Sequence, residues 1–492
     1  MIKNMTALII ILPLCAALLC MLLTKIHRTL GRWTAIVAVA ASLVLSIIQL
    51  KTVIEGGPIH YYFGNYLPPI GIEFVVDTVN ALVIILIDVI GLSALIFMTE
   101  FEEDKDRTVL GGYYALALLL IVGLLGMTTT GDVFNLYVFL ELSSLSGYCL
   151  ISMGGDKGVV AAFRYMLMGT VAATFYLMGV AVLYAATGTL NMADMSQILD
   201  SGLYDDSMLV AMICFVICFG IKLAHFPFHG WQPSVHTYAD AGSKPIIAGV
   251  MFKVPGYAMF RYLYCVFGTD FKYFNFFITV IGVLAVSGML YGSIRAMGQK
   301  DIRKLFAYSS VTQMSYITLG IAIGTPIALA GSFLHIIGHA FMKGGLFLAS
   351  GVLKHKYGIT DLKDFGRVYK DMPLTAGLIT IAALSMVGIP PTTGFFSKWY
   401  LACGAASLHE WIYVAVLVIS SLLNAIYFFK LIEKIFIQQK SERHEHGGIK
   451  NGEKSFAVAF PLILYAAAIV LIGIFNVKIV DILLITLEGV GL

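Results

Sequence analysis

Five ionisable side chains stand where nearly every neighbour is apolar. Glu141 lies in GDVFNLYVFLELSSLSGYCLI and Lys222 ends MLVAMICFVICFGIK. Lys253 lies in IIAGVMFKVPGYAMFRY, Lys343 in FLHIIGHAFMKGGLFLASG and Lys398 in GFFSKWYLACG. Amines and carboxyls take up and release protons. A charge at the centre of an apolar span costs about 2.5–3.5 kcal/mol on insertion scales, so such groups face a bundle interior or water. Their chemistry is the movement of protons or ions, not covalent catalysis. Lys222 follows a run long enough, at 1.5 Å per helical residue, to put it deep in the hydrocarbon. A lone buried lysine and a lone buried carboxyl are each driven neutral. Brought together, Lys222 and Glu141 favour each other's charged forms, and moving them apart favours the neutral ones. The bland alternatives are a fixed structural pair, or lysines that snorkel to the membrane rim.

Histidines accompany the lysines. His335, His339 and Lys343 are four apart and share one helix stripe. A proton relay suits them, since imidazole titrates near neutrality. Structural hydrogen bonding and a zinc site stay open beside it, although no acidic or Cys partner is evident and Lys343 would repel a cation. In GIKLAHFPFHGWQPSVH, Pro227 cannot donate to the carbonyl of Leu223. The helix should therefore break just past Lys222. The break denies His225, His229 and His236 the regular spacing of a metal cluster and leaves a polar path from the cytoplasmic side, or a packed break. Pro390 and Pro391 predict a second break shortly before Lys398, and Lys253 stands two residues before Pro255.

The elements that must hold these groups are transmembrane helices. Of 492 residues, 59% are hydrophobic and 12% charged, with mean hydropathy +0.88; a soluble chain carries about a quarter charged residues. Apolar runs of about 20 residues recur, the length that spans a bilayer. An all-α polytopic membrane protein is expected, with about 14 spans starting near residues 5, 32, 76, 109, 131, 161, 207, 244, 273, 302, 326, 374, 410 and 456. Most of the 32 lysines and arginines then fall in loops on one side if the N-terminus is outside, so both termini are expected outside a cell membrane. The first run lacks a charged start with a small-residue cleavage site, and spans follow immediately, so it is expected to remain as a helix. Spans four to eight and nine to thirteen form two five-helix units. An odd number of helices inverts one unit relative to the other, and interrupted segments at matching places mark a transport pathway. The expected divisions are 1–108, 109–268, 269–438 and 439–492, with spans seven and twelve broken. The seven cysteines lie in apolar runs and read as packing residues. The hydrophilic stretch 437–455, with its HEH at 444–446, reads as a solvated loop. No CxxC cluster or dinucleotide glycine pattern is present, so no cofactor, no resident metal and no nucleic-acid partner are expected.

Over about residues 70–435 the chain resembles the antiporter-like subunits shared by Mrp-type cation/proton antiporters, respiratory complex I and membrane-bound hydrogenases. The family's lysine–PFHGW–histidine motif is similar to Lys222, Pro227, His229, Trp231 and His236. A second lysine follows about thirty residues on, as Lys253. The glutamate of YVFLE is Glu141, HxxxHAxxKxxLF is matched by His335, His339 and Lys343, DIRKLFAYSSVTQMSY resembles the tenth span, and GFFSKWYL the twelfth-span lysine motif. The resemblance implies fourteen spans in two inverted repeats, each with a half-channel around a broken helix. It further implies a Glu141–Lys222 switching pair, a central relay of Lys253 with the histidines, and Lys398 as outlet group. With one span after the second repeat, the chain is expected to lack the long lateral helix of the largest complex I subunit and the extension of the antiporter's A-type subunit. Lys398 stands where the M-type complex I subunit has glutamate, so the antiporter's D-type subunit, or its hydrogenase counterpart, fits best. Where many members read HASAPSPVSALL, this chain reads HTYADAGSKPIIAGV. Asp240 and Lys244 are therefore unusual, and are expected to alter ion entrance or to form a surface pair.

The reading that follows is a membrane subunit that moves H+, in one version exchanged for Na+, beside other membrane subunits of an antiporter or a respiratory or hydrogenase complex. A redox partner would drive the pump in an alternative version. A non-conducting scaffold is the alternative of another class.

Overall fold

The computed structural model describes residues 2–103, 105–202, 206–366, 368–437 and 453–488. The HEH expected as solvated loop lies outside the described residues. The chain is a nearly all-helical, multi-pass membrane protein, and among the described residues ten helices are long and apolar enough to cross a bilayer. Every expected span start falls close to a helix start; the largest discrepancy is at 161, against a helix beginning at Asp156.

Helices α1 (Ile2–Ile26) and α2 (Arg28–Gly56) form an antiparallel pair. A hairpin absent from the sequence reading follows: β1 (Ile59–Tyr62) pairs antiparallel with β2 (Glu73–Val76), Ile59 opposite Val76. Asp77 then caps α3 (Thr78–Met98) through a reciprocal box with Asn80, satisfying donors that a helix start leaves free. Next come α4 (Arg107–Thr129), α5 (Val133–Ser152), capped by Asp132, and the long α6 (Asp156–Thr187). The short α7 (Met192–Asp200) was not foreseen.

The seventh span is broken where Pro227 requires it. Helix α8 (Ser207–Lys222) stops at Lys222, and the chain resumes as α9 (Gln232–Tyr238) after a 3-10 turn. Ala224, at φ +53°, closes α8: its N–H donates to Ile221 O, and the His225 N–H to Gly220 O. This is the two-bond closure that usually employs glycine. The eighth span is irregular too. A short turn, α10 (Lys244–Ile246), passes into a π-helical turn at Ile247–Met251, then α11 (Val254–Phe260), then a second π-helical turn at Arg261–Phe267.

Helices α12 (Phe274–Met297) and α13 (Ile302–Ile323) lead to α14 (Pro326–Tyr357), whose best apolar window is wholly buried. It runs unbroken between α13 and three later helices, α16 (Pro373–Val387), α17 (Thr393–Ser407) and α19 (Phe456–Ile474), and is the axis of the bundle. Gly338 lets α17 pack close, since a methyl there would overlap Thr393. After α15 (Val368–Asp371), the twelfth span splits into α16 (Pro373–Val387) and α17 (Thr393–Ser407), with Pro390 and Pro391 between. Helix α18 (Trp411–Phe436), α19 (Phe456–Ile474) and the unforeseen α20 (Asn476–Leu487) complete the fold.

Candidate functional site: buried lysines at helix ends

Lys222 is the last residue of α8 and is 2% exposed. A cation at a helix C-terminus meets the partial negative charge of the last carbonyls. Its ammonium donates to Ser144 Oγ at 2.7 Å, and Glu141 Oε1 lies 3.7 Å away. Both partners are on α5, three residues apart on one face. The expected pair is therefore formed, as a close ion pair rather than a direct hydrogen bond. Glu141 is half-buried, with its side chain 24% exposed, and shares its helix face with exposed Val138 and Leu145. One edge of the Glu141 side chain thus reaches the outer surface of this chain, while its Oε1 and the lysine are buried. Gly169 of α6 makes room for the lysine: a methyl there would overlap the Tyr148 hydroxyl and lie 3.5 Å from Lys222 Nζ.

At the centre, Lys253 sits between the first π-helical turn and α11 and donates to the carbonyl of Ala248. The irregular turn frees carbonyls that no longer have helical partners, and the ammonium takes one of them. His335, His339 and Lys343 are fully buried on α14. The two imidazoles stack at 5.7 Å between centroids, 14° from parallel. Lys343 donates to Phe306 O at 2.7 Å and to Ser309 Oγ, both on α13. His236 is buried against Phe252 and stacks on Phe347 of α14 at 4.5 Å, so it packs at the centre.

At the second break Lys398, on α17, reaches back to the end of α16, donating to Met386 O at 2.9 Å and Val387 O at 3.1 Å. It also donates to Ser421 Oγ at 3.1 Å and stands 4.8 Å from the Tyr316 ring centroid, a cation–π contact. Tyr316 meets His335 edge-on at 5.5 Å, and His335 Nδ1 lies 2.8 Å from Ser397 Oγ on α17. Tyr316 and Ser397 thus connect the central histidines to Lys398. Neither was singled out in the sequence. Tyr316 ends the motif DIRKLFAYSSVTQMSY and Ser397 adjoins Lys398, so both were within reach of motif reading.

The remaining histidines separate. His225 Nδ1 lies 2.6 Å from its neighbour's carbonyl, Phe226 O, and His229 packs on Phe226 and on Tyr291 of α12. Among the described residues, no three or more His, Cys, Asp or Glu side chains come together as a metal-binding group. Several polar atoms along this path are buried without a hydrogen-bond partner among the described residues: Glu141 Oε1, His225 Nε2, His229 Nδ1, His335 Nε2 and both nitrogens of His339. Asp240 and Lys244 correct the surface-pair expectation. Both are buried, and Asp240 pairs not with Lys244 but with Lys105 at 3.2 Å, and with the Tyr113 hydroxyl. Lys244 donates at 3.4 Å to Thr237 O, a carbonyl that Arg303 also approaches. Lys105 and Tyr113 precede Asp240 by more than a hundred residues, a distance that local reading does not bridge.

Comparison with known proteins places this geometry among relatives. The family described as "NADH:quinone oxidoreductase/Mrp antiporter, TM" matches residues 130–424. The N-type subunit of NADH-quinone oxidoreductase from Desulforudis audaxviator is 41% identical over 491 residues, covering 98% of each chain. The D-type subunit of the Na(+)/H(+) antiporter from Alkalihalophilus pseudofirmus is 30% identical, covering 96% of this chain and 94% of the relative. Among solved structures, a chain of the membrane-bound sulfane sulfur reductase, an archaeal respiratory membrane complex, superposes with a TM-score of 0.88 at 28% identity, covering 99% of this chain and 97% of that one.

Proposed function

The chain belongs to the NADH:quinone oxidoreductase/Mrp antiporter family, and on that premise we propose that it carries protons through the membrane arm of a multisubunit complex. The observation that carries this reading is the Lys222–Glu141 pair, 3.7 Å apart, one member sealed and the other at the chain's surface. When Glu141 is near and ionised, Lys222 holds its proton; when the carboxylate moves away or is neutralised, the lysine gives the proton up. Lys253, His236, His335, His339 and Lys343 pass it along the membrane plane, and Lys398 releases it at the second break. His225 and His229 line the approach. The unpartnered imidazole nitrogens support this use, since a buried polar atom left unpaired costs about 1–3 kcal/mol and is retained where water or a migrating proton serves it.

The half-exposed Glu141 face is where a neighbouring membrane subunit would sense or set the switch. We place the chain in a cell membrane with fourteen spans and both termini outside, as the lysine and arginine distribution supports. Residues 109–268 and 269–438 are then the inverted repeats, between flanking segments 1–108 and 439–492. Two energy sources fit the family. The 30% identical relative is an Na(+)/H(+) antiporter subunit, which supports gradient-driven exchange; the 41% identical one is a quinone oxidoreductase subunit, which supports a redox-driven pump.

The test uses inverted vesicles holding the whole complex, with internal pH followed by dye and Na+ by isotope, in wild type and Lys222→Ala. Loss of proton movement with the complex still assembled is the expected result. Unchanged proton movement sinks the assignment. Full activity in Lys222→Met would favour the scaffold reading instead.

A further inference from the structure

Asp88 takes no part in the lysine file. It stands at the centre of α3, fully buried, and turns toward α2 and α1. Ser46 Oγ lies 2.6 Å from its Oδ2, and Ser42 Oγ lies 3.0 Å and 3.1 Å from Oδ1 and Oδ2. Both hydroxyls have a second oxygen neighbour: Ser46 Oγ is 2.9 Å from Ser42 O, and Ser42 Oγ is 3.2 Å from Ile9 O of α1. Gln49 continues the same face of α2 one turn beyond Ser46. Its Nε2 donates to Thr6 Oγ1 at 2.7 Å, while its Oε1 is buried and has no partner among the described residues.

No charged side chain faces this carboxyl among the described residues. On the elements around it, Arg32 pairs with Glu102 and Lys51 with Glu55, Cys20 donates to Gly31 O, Tyr113 and Tyr114 donate to Asp240 and Glu102, and Tyr465 of α19 bonds Ser93. Its hydrogen-bond partners are the two serine hydroxyls. A carboxylate at mid-span without a cation is costly. The proton count sharpens the point. Ionised Asp88 leaves two hydroxyl protons to serve five oxygen–oxygen contacts; even with the Ser42 proton shared between both carboxyl oxygens, two contacts set lone pair against lone pair. A proton on the carboxyl supplies a third donor. A small cation held by the carboxylate and the hydroxyl lone pairs leaves both hydroxyl protons to the Ile9 and Ser42 carbonyls, and no positive charge competes for the place. Such oxygen sets suit hard cations. The lysine file cannot offer that: its ammonium groups repel Na+, and its one carboxylate is engaged by Lys222.

We propose that Asp88, Ser42 and Ser46, with Gln49 beside them, form a cation site at which a proton and a hard monovalent cation, Na+, compete. Na+ enters as the Asp88 proton leaves, so net charge at the site is unchanged. This gives a chain of this kind a place for ion exchange in its N-terminal helices, away from the proton file. The site does not depend on the roles assigned to Glu141 and Lys222.

The experiment uses the purified full chain in lipid nanodiscs. Infrared difference spectra are recorded on replacing choline buffer by Na+ buffer, alongside equilibrium binding of isotopic Na+. In wild type, Na+ should remove the absorption of a protonated carboxyl. That change should vanish in Asp88→Asn and persist in Glu141→Gln. Half-saturating Na+ should rise about tenfold for each unit fall in pH while Asp88 is protonated. Ser46→Ala keeps the carboxyl and removes one ligand, so it should raise half-saturating Na+ at least about tenfold. A carboxyl signal that ignores Na+ would mark a structural acid and overturn the site, as would a Na+ response retained in Asp88→Asn. Should Asp88→Asn fail to fold, Ser46→Ala decides: an unshifted titration overturns the proposal. Loss of the Na+ response in Glu141→Gln alone would move Na+ to the file and overturn it equally.

Discussion

At the first break Lys222 ends the half-helix that precedes the gap and turns to another helix for partners, Ser144 and Glu141 of α5. At the second, Lys398 belongs to the half-helix that follows the gap and reaches back to the carbonyls of Met386 and Val387. Both lysines satisfy the same need, since a helix interrupted inside a membrane leaves polar groups that must be paired. They differ in what can be changed. A carboxylate can be protonated or moved, so the charge on Lys222 can be switched. Peptide carbonyls do neither, so Lys398 sits in a fixed field. In the proposed relay, one lysine is therefore adjustable and one constant, so an energy source coupled to Glu141 would act at the first end and not at the second.

The sharpest way to break this comparison is to neutralise the partner rather than the lysine. Glu141→Gln leaves Lys222 buried without a counter-charge. Removing one member of a fully buried pair costs about 3–5 kcal/mol, and somewhat less where, as here, one member is half-buried; proton transport should fall about a hundredfold. Lys398→Met removes a donor to carbonyls that α16 can satisfy in part by tightening its last turn, so a loss nearer to tenfold is expected in the same vesicles. Equal losses would mean the two ends are equivalent and the contrast is wrong.

Tyr316 tests the second end alone. Its ring faces Lys398, while its hydroxyl bonds Ser420 at 2.8 Å and receives a bond from Asn424 at 3.2 Å. Tyr316→Leu abolishes the cation–π contact, worth about 0.5–2 kcal/mol, and should slow transport several-fold. Tyr316→Phe keeps the ring and should lose less. A larger loss in the Phe variant would assign the role to the hydroxyl network. Gly169→Ala probes the first end by the opposite route, crowding Tyr148 and Lys222 without touching charge. Overpacking costs about 1–3 kcal/mol, most of which falls on stability where Tyr148 shifts; a two- to threefold fall in rate is expected, with Lys398 variants unaffected in their relative order.

Much of this contrast could be read before the structure. Pro227 and the Pro390–Pro391 pair announce the breaks because proline acts locally, through one missing donor and one ring clash. Length and hydropathy locate the spans for a similar reason: a bilayer imposes one dimension on every segment. What stayed hidden depends on the meeting of distant segments. Ser144 bonds Lys222 across 78 residues, and Lys105 reaches Asp240 across 135. Asp240 and Lys244 looked like a surface pair because only their spacing was visible, and spacing says nothing about Tyr113. Asp88 drew no notice because its serines lie on α2, and a single acid in an apolar run carries no pattern of its own. The hairpin of β1 and β2 escaped because its strands are short and an irregular segment separates them.

The smallest effect concerns the closures themselves. The second break turns at Gly388, φ +95°, and the first at Ala224, φ +53°. An L-residue with a side chain meets steric cost in this left-handed region, about 1–2 kcal/mol, that glycine escapes. Ala224→Gly should therefore stabilise the first break, but glycine also gives the unfolded chain more freedom, which offsets about 0.4–1 kcal/mol. The net gain should be a few tenths of a kcal/mol to about 1 kcal/mol, read as a small rise in the thermal midpoint of the purified chain. Proton transport should stay at the wild-type rate, because Lys222 and Glu141 keep their places. If transport falls while stability rises, the rigidity that Ala224 imposes on the end of α8 is itself what holds Lys222 at working distance from Glu141, and the first end would be tuned by backbone as well as by charge.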